Sequence, residues 1–566
     1  MSKKISRRQF LRISAQTGVL LGLASGLGEK VLFSQPKSFD LIIRNGHIID
    51  GLKDKSYKAD LGIIGDRIAA IGNLSQANSK TIIEATGKVV TPGFIDIHSH
   101  TDLELLINPK AESKVRQGVT TELSGNCGGS VFPRKKRLTA EEKKLKEKLN
   151  IEINWTDLEE YHSFLHKRGL AVNHATLVGQ GTVRRLVLGD EPRQPSAKEM
   201  DIMKNMVAEA MAQGAFGLST GLEYAPDRFS TTSEIIELCQ VVAKYGGFYA
   251  THMRSEDTML MEALAEAIHI ADRGGLPLQI SHLKVCGRAN YYKIPLAIDL
   301  IERAKARGML INADRYPYIA YNTTLSIMYP EWALAGGREA FIQRLKDRKL
   351  RQKMKAETLK KVIGNNSWES MLIQDVNNEE NKSLVGKYIS QAAQEKNHDP
   401  YEFSCDLLIS EGGDVSIIGF GMSENNTDLI LKHPLVMLCS DGVALAPYGW
   451  LSQGMPHPRN YGTFPRFLRL YVREKKLLSL PKAIKKMTSM PAAKMGLSKR
   501  GVIKKDNFAD LVVFDPMTIT DLATYTKPQQ YPKGIDYVII NGKVVIDHNT
   551  HTGQLPGRTL AGPGKK

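Results

Sequence analysis

Cysteine is scarce and odd in number: Cys127, Cys239, Cys286, Cys405 and Cys439 are the five in 566 residues. A chain of this size with so few thiols has no disulfide framework, so its stability must come from buried apolar surface. Aromatic residues make up only 7%. Long apolar runs are missing too, since the stretch from Ile13 to Leu27 falls short of the roughly 20 residues that a membrane span needs, and no stable membrane span is expected. Charge is in excess but not concentrated. The formal net charge of +17 is spread thinly, with short clusters such as Arg134 to Arg137 and no basic stripe interleaved with aromatics, which argues against nucleic acid as a partner.

At the amino terminus, Ser6, Arg7, Arg8, Gln9, Phe10 and Leu11 form a twin-arginine motif followed by that short apolar run. Residues 1–28 are therefore expected to be a Tat signal segment, with the Tat export machinery as a partner and a periplasmic or cell-envelope location. No clear AxA cleavage site follows, so an uncleaved segment would act as an anchor.

Cys239 falls within the helical pattern EIIELCQVVAKYG and is expected to pack in the core. From Phe39 to Val90 short apolar strands alternate with turns, and FDLIIRNGHIIDG suggests a hairpin turning at Asn45 and Gly46. The carboxyl end repeats the pattern in ADLVVFDP and in YVIINGKVVID, with Asn541 and Gly542 at the turn. Both ends are expected to build one small β-sandwich domain, residues 38–90 plus 490–557. Between them, apolar strand candidates end near His98, Leu123, Val178, Thr220, His252, His282, Asp314 and Asp441, separated mostly by amphipathic helices such as MLMEALAEAIHIADRGG. Eight such units predict an α/β fold, a (β/α)8 TIM barrel over 91–489 whose working groups collect at the carboxyl ends of the strands. The interval between Asp314 and Leu435 is too long for one crossover and predicts an inserted subdomain at about 320–433, between strands seven and eight and over the barrel mouth. After Gly557 only a short low-complexity tail is expected.

His98 and His100 close the apolar run TPGFIDIHSH. In a strand, residues two apart share a face, so both can meet one cation. His252 and His282 end the fifth and sixth strand candidates and Asp441 ends the eighth. Such a set can hold a divalent cation with an open position, and a carboxylate beside it can take a proton from water and pass it to a leaving group. The chemistry expected is hydrolysis of an amide.

These motifs resemble the amidohydrolase superfamily, and within it the N-acyl-D-amino-acid deacylases, or D-aminoacylases. The likeness runs from about Asp40 to Gly557 and rests on PGFIDIHSHTD, GVTTELSGNCG, GLSTGLEYAP, THMRSE, ISHLKV, ADRYPY, SDG, HPRNYGTFPR and ADLVVFDP. It implies a zinc-dependent TIM barrel that hydrolyses N-acyl-D-amino acids to a carboxylate and a free D-amino acid. Carried over by residue, the resemblance assigns a tight zinc to Cys127, His252 and His282. A weaker second position would use His98, His100 and Cys127. Asp441 would be the general base and acid, and Lys284, Tyr316 and Arg459 would receive the α-carboxylate of the small-molecule substrate. A guanidinium fork suits that last task.

Cys127 has a chemical rationale of its own. Cations among four neutral imidazoles need an anionic ligand, and the fourth strand, AFGLSTG, has no lysine that could be carboxylated. A thiolate can serve, because metal contact lowers its pKa below ~8.5. Two departures from the family pattern bear on the substrate. Leu283 stands where some relatives carry a histidine, and Glu223 lies in a pocket-shaping loop, away from the metal ligands, where it could accept a polar or basic group. A D-dipeptidase, a hydantoinase-like cyclic amide hydrolase and a non-catalytic exported metal-binding protein are the alternatives.

Overall fold

The computed structural model describes residues 38–138 and 140–565. The twin-arginine segment lies outside the described residues. Among the described residues no helix is long and apolar enough to cross a membrane.

Eight parallel strands form the barrel: Phe94–Asp96, Val119–Ser124, Asn173–Thr176, Gly217–Gly221, Phe248–His252, Leu278–Ile280, Ile311–Arg315 and Val436–Leu438. The third strand continues into Val178–Gly179, which pairs with the fourth, and a parallel bridge between Ser99 and Gly442 joins the eighth to the first. Every residue of the second and fifth strands is buried, because barrel strands are covered on both faces. The helices outside are amphipathic. In Leu260–Gly274 the buried Leu260, Ala263, Leu264, Ala267, Ile268 and Ala271 recur every three or four residues, and Gly275, at φ 71°, ends the helix in the left-handed region. Burying each such leucine or isoleucine contributes roughly 1.5–3 kcal/mol.

Strands from both chain ends join in one hydrogen-bonded network of nine, in which Val89–Pro92 pairs antiparallel with Leu511–Phe514. This is the β-sandwich domain, and Val89–Pro92 leads straight into the first barrel strand. At the junction a Cβ on Gly93 would lie 2.1 Å from Thr120 Oγ1, so only glycine lets strands one and two approach there. The expected hairpin at Asn45–Gly46 does not form. Phe39–Ile48 is one strand with a bulge, where Asn45 takes φ 60° and donates its backbone N–H to Asp60, and the chain runs on instead of reversing. Asn541–Gly542 is the turn of a hairpin, Ile535–Ile540 with Lys543–Asp547. Beyond Gly557 the short tail packs on the barrel. Thr559 bridges to His174, and Gly562 donates its N–H to the carbonyl of Gly214.

Between strands seven and eight, Tyr321–Thr324, Met371–Asp375 and Ser416–Gly419 form a three-stranded antiparallel sheet flanked by helices that include Gly337–Lys346, Arg348–Asn365 and Pro400–Ser410. Its core holds Tyr329, Phe341, Met354 and Tyr401. Tyr321, Asn322, Thr323 and Gln374 from this insert line the cavity at the barrel mouth.

A buried ion pair closes the seam between strands eight and one. Lys114, with no exposed surface, donates to Asp96 Oδ2 at 2.7 Å, to Ser440 Oγ at 2.8 Å and to the Gly442 carbonyl at 3.0 Å. Asp96 in turn accepts the Ser440 backbone N–H at 2.9 Å. Removing one partner of such a pair strands the other charge, at a cost of about 3–5 kcal/mol, whereas replacing both costs far less. Lys114→Met should therefore lower the thermal unfolding temperature by several degrees, and adding Asp96→Asn should recover part of the loss. Calorimetry showing the double variant less stable than the single would contradict this role.

Candidate metal centre and active site

The carboxyl ends of the strands bring the sequence-predicted ligands together. Cys127 Sγ lies 3.5 Å from His98 Nε2, 3.4 Å from His282 Nε2 and 3.9 Å from His252 Nδ1. His100 faces the same cavity, its Nε2 3.0 Å from Asp441 Oδ1, and His98 Nε2 is 3.3 Å from the same oxygen. His98 and His100 do not sit in the strand, as the alternation argument requires. The strand stops at Asp96, whose side chain is taken by Lys114 and Ser440, and the Ser99–Gly442 bridge then carries both histidines to the barrel axis. Cys127, His282 and Asp441 all take positive φ, 50°, 34° and 50°. Such backbone is uncommon outside glycine and is held here by its surroundings. Asp441 is fixed on both sides, through Lys114 to Ser440 and Gly442 and through its own N–H to the His98 carbonyl at 2.9 Å.

Electrostatics follow from this crowding. Burial raises the Cys127 thiol, but the facing imidazoles of His98 and His282 more than offset it and hold the group well below its usual range. Burial also opposes charge on His98, yet Cys127, Asp314 and Asp441 raise it well above an ordinary histidine, and His100 and His252 rise to about 9 and about 10. Asp441, despite burial, is kept well below the usual carboxylate range by Arg459 and by the histidines. The negative field that keeps protons on these imidazoles is equally available to a divalent cation, which binds in exchange for them.

The donors fit such a cation. One atom each from His98, Cys127 and His282, from His98, His100 and Asp441, and from His252, Glu256 and His282 lies within 4.8 Å of the others in its group. Three carboxylates stand behind the histidines. Glu223 Oε2 is 3.1 Å from His252 Nε2, Glu256 Oε1 is 3.0 Å from His282 Nδ1, and Asp314 Oδ1 is 3.4 Å from His98 Nδ1. Outer partners of this kind fix ring orientation and tautomer.

The three expected carboxylate binders all line the cavity but differ in readiness. Tyr316 Oη and Arg459 Nε are buried and have no hydrogen-bond partner among the described residues, while Arg459 Nη1 is 2.7 Å from Asp441 Oδ2. Lys284 is engaged by Glu256 and by His282 Nδ1, the latter at 2.8 Å. Glu223 departs from expectation, since it does touch His252, one of the expected ligands. Its other oxygen accepts from Lys361 Nζ at 2.9 Å, so the carboxylate's charge is already balanced by a lysine of the insert. Sequence reasoning missed Glu256, Asp314 and Lys361 in these parts. Glu256 ends the quoted THMRSE and Asp314 stands next to the end of the seventh strand, so both carried a positional signal. Lys361, in a lysine-rich helix of the insert, carried none.

Comparison with known proteins agrees with this geometry. The amidohydrolase family model matches residues 81–318 and 422–546. A D-aminoacylase of Alcaligenes xylosoxydans xylosoxydans is 37% identical over 528 residues, 93% of this chain and 98% of the relative. A solved D-aminoacylase structure with a binuclear metal centre superposes with a TM-score of 0.78 at 35% identity, covering 92% of this chain and all of that one. The N-acyl-D-glutamate deacylase of Bordetella bronchiseptica, solved with zinc and a phosphonate mimic of the tetrahedral intermediate, gives a TM-score of 0.78 at 30% identity over 93% of this chain and all of that one. This chain therefore belongs to the amidohydrolase family, among the D-aminoacylases, and is a metal-dependent amidohydrolase.

Proposed function

We propose that the protein hydrolyses the amide bond of N-acyl-D-amino acids with neutral side chains, using zinc at the Cys127 centre. The observation that carries the reading is a pair of buried, unpartnered donors, Tyr316 Oη and Arg459 Nε, on the wall of the cavity that also holds the histidine–cysteine cluster. A buried donor without an acceptor is costly, and a substrate carboxylate satisfies both at once.

Cys127, His252 and His282 would hold the tight metal, and His98 and His100 a weaker second one beside Cys127. When bound, zinc supplies Lewis acidity at that point. Asp441 takes the proton of the attacking water and delivers it to the departing amide nitrogen. Its low pKa keeps it ionised and ready as a base at neutral pH, and its fixed backbone keeps Oδ1 beside His98 and His100. Arg459 bridges Asp441 and the carboxylate position, tying the general base to the substrate it must serve. Lys284 acts mainly by holding Glu256 behind His282 and adds positive field to the carboxylate end. The insert contributes Tyr321, Asn322, Thr323 and Gln374 to the cavity wall.

Side-chain selectivity follows from charge. Among the described residues, Lys284 and Arg459 are the only lysine and arginine on the cavity wall, and both are needed at the α-carboxylate or behind the metal. The remaining wall toward the insert offers Asn322, Thr323, Ile327, Gln374 and Gln453, with no cation for a second carboxylate. The twin-arginine motif supports export to the periplasm or cell envelope by the Tat route.

With N-acetyl derivatives of both enantiomers, we predict kcat/KM at least tenfold higher for D-leucine or D-glutamine than for D-aspartate or D-glutamate, and no measurable turnover of L forms. A preference for the acidic D-amino acids would overturn the pocket assignment. Asp441→Asn should keep zinc bound and lower kcat by at least about a hundredfold, as loss of general acid–base catalysis does. Near-normal turnover by that variant would remove Asp441 from the mechanism.

A further inference from the structure

One side chain of the insert is linked to His252 through a carboxylate. Lys361 lies near the end of helix Arg348–Asn365 and places its ammonium 2.9 Å from Glu223 Oε1 and 2.8 Å from Asp257 Oδ2. Glu223 Oε2 is 3.1 Å from His252 Nε2, and His252 Nδ1 faces Cys127 and His282. Asn365, four residues on, donates to Asp257 Oδ2 at 3.0 Å. The helix is thus fastened to the loops after barrel strands four and five by two side chains, and one of them ends in a continuous chain from lysine to carboxylate to imidazole.

For His252 to present a lone pair at Nδ1, the proton must stay on Nε2, where two carboxylates face it, Glu223 at 3.1 Å and Glu256 at 3.5 Å, Glu223 being the nearer. Both oxygens of Glu223 are used. If Lys361 is withdrawn, Glu223 loses the cation that balances it in a site where 11% of its side chain is exposed, and Asp257 beside it loses the same cation. Glu223 is then free to turn away, which loosens its hold on the histidine. Asp257 keeps other donors, from Ser255 Oγ at 2.6 Å and the Thr258 N–H at 2.6 Å, so the chain to Glu223 suffers more than the chain to Asp257.

We propose that Lys361 is a positioning residue for the metal ligand His252, acting through Glu223, and that docking of the insert and affinity for the metal are thereby linked. The inference rests on His252 being a ligand, as argued above. Linkage is reciprocal, so whatever the insert contributes to metal binding, the metal returns to the docking of the insert. The cover over the cavity is then seated by the same chain that completes the centre beneath it.

Competition against a chromophoric chelator measures zinc affinity directly in the wild type, Lys361→Met, Lys361→Arg, Glu223→Gln and Lys361→Met/Glu223→Gln. Loss of an outer partner typically weakens metal binding by about 10–100-fold. Lys361→Met should show a loss in that range, Lys361→Arg should recover most of it, and the double variant should bind no more than about twofold more weakly than Glu223→Gln alone. A merely structural lysine would weaken binding independently of Glu223. Zinc bound as tightly by Lys361→Met as by the wild type, or losses that multiply in the double variant, would overturn the proposal. Hydrogen exchange of the wild type needs no variant: amides of residues 348–365 should exchange faster once zinc is stripped, and unchanged exchange would break the linkage. A wild type that binds no zinc overturns the metal reading first, and this inference with it.

Discussion

The sulfur of Cys127 stands where the imidazoles of His98, His252 and His282 converge, and as a thiolate it would let so many donors share so small a space. Four histidines alone would repel one another when protonated and would leave a bound cation uncompensated when neutral. A thiolate relieves both, and the imidazoles that face it lower its pKa in return. The fold serves this contact. Gly125 and Gly128, with φ of 72° and 77°, bend the loop after strand two, and Ser219 Oγ accepts the Gly128 N–H at 3.1 Å and holds the bend against strand four.

Around the sulfur the charges are layered. Inward-facing nitrogens of His98, His252 and His282 meet Cys127, and their outer nitrogens meet Asp314, Glu223 and Glu256. Lys361 and Lys284 then balance two of those carboxylates. Each layer neutralises the one inside it, which is how a barrel mouth can bury so many ionisable groups without leaving a lone charge. Asp441 belongs to the same arrangement, bound to His100 on one side and to Arg459 on the other.

Much of this was legible in the sequence because the barrel repeats a simple signal. Each strand is a short buried run whose last polar residue faces the mouth, so His252, His282 and Asp441 could be placed by counting strands. What was not legible depends on contacts between distant segments. Asn45–Gly46 and Asn541–Gly542 look alike, yet the first is a bulge because Asp60 and the strand after it capture the backbone. His98 and His100 converge through a bridge to Gly442, more than 340 residues away, instead of through strand alternation. Lys361 is one lysine among several in its helix, and only the folded insert shows which one points inward.

The account turns on sulfur as a metal ligand, and zinc-edge X-ray absorption of the protein loaded with one equivalent of zinc tests it most directly. A sulfur scatterer at about 2.3 Å together with imidazole nitrogens at about 2.0–2.1 Å is the predicted first shell. A shell of nitrogen and oxygen alone would contradict the account and move the metal away from Cys127.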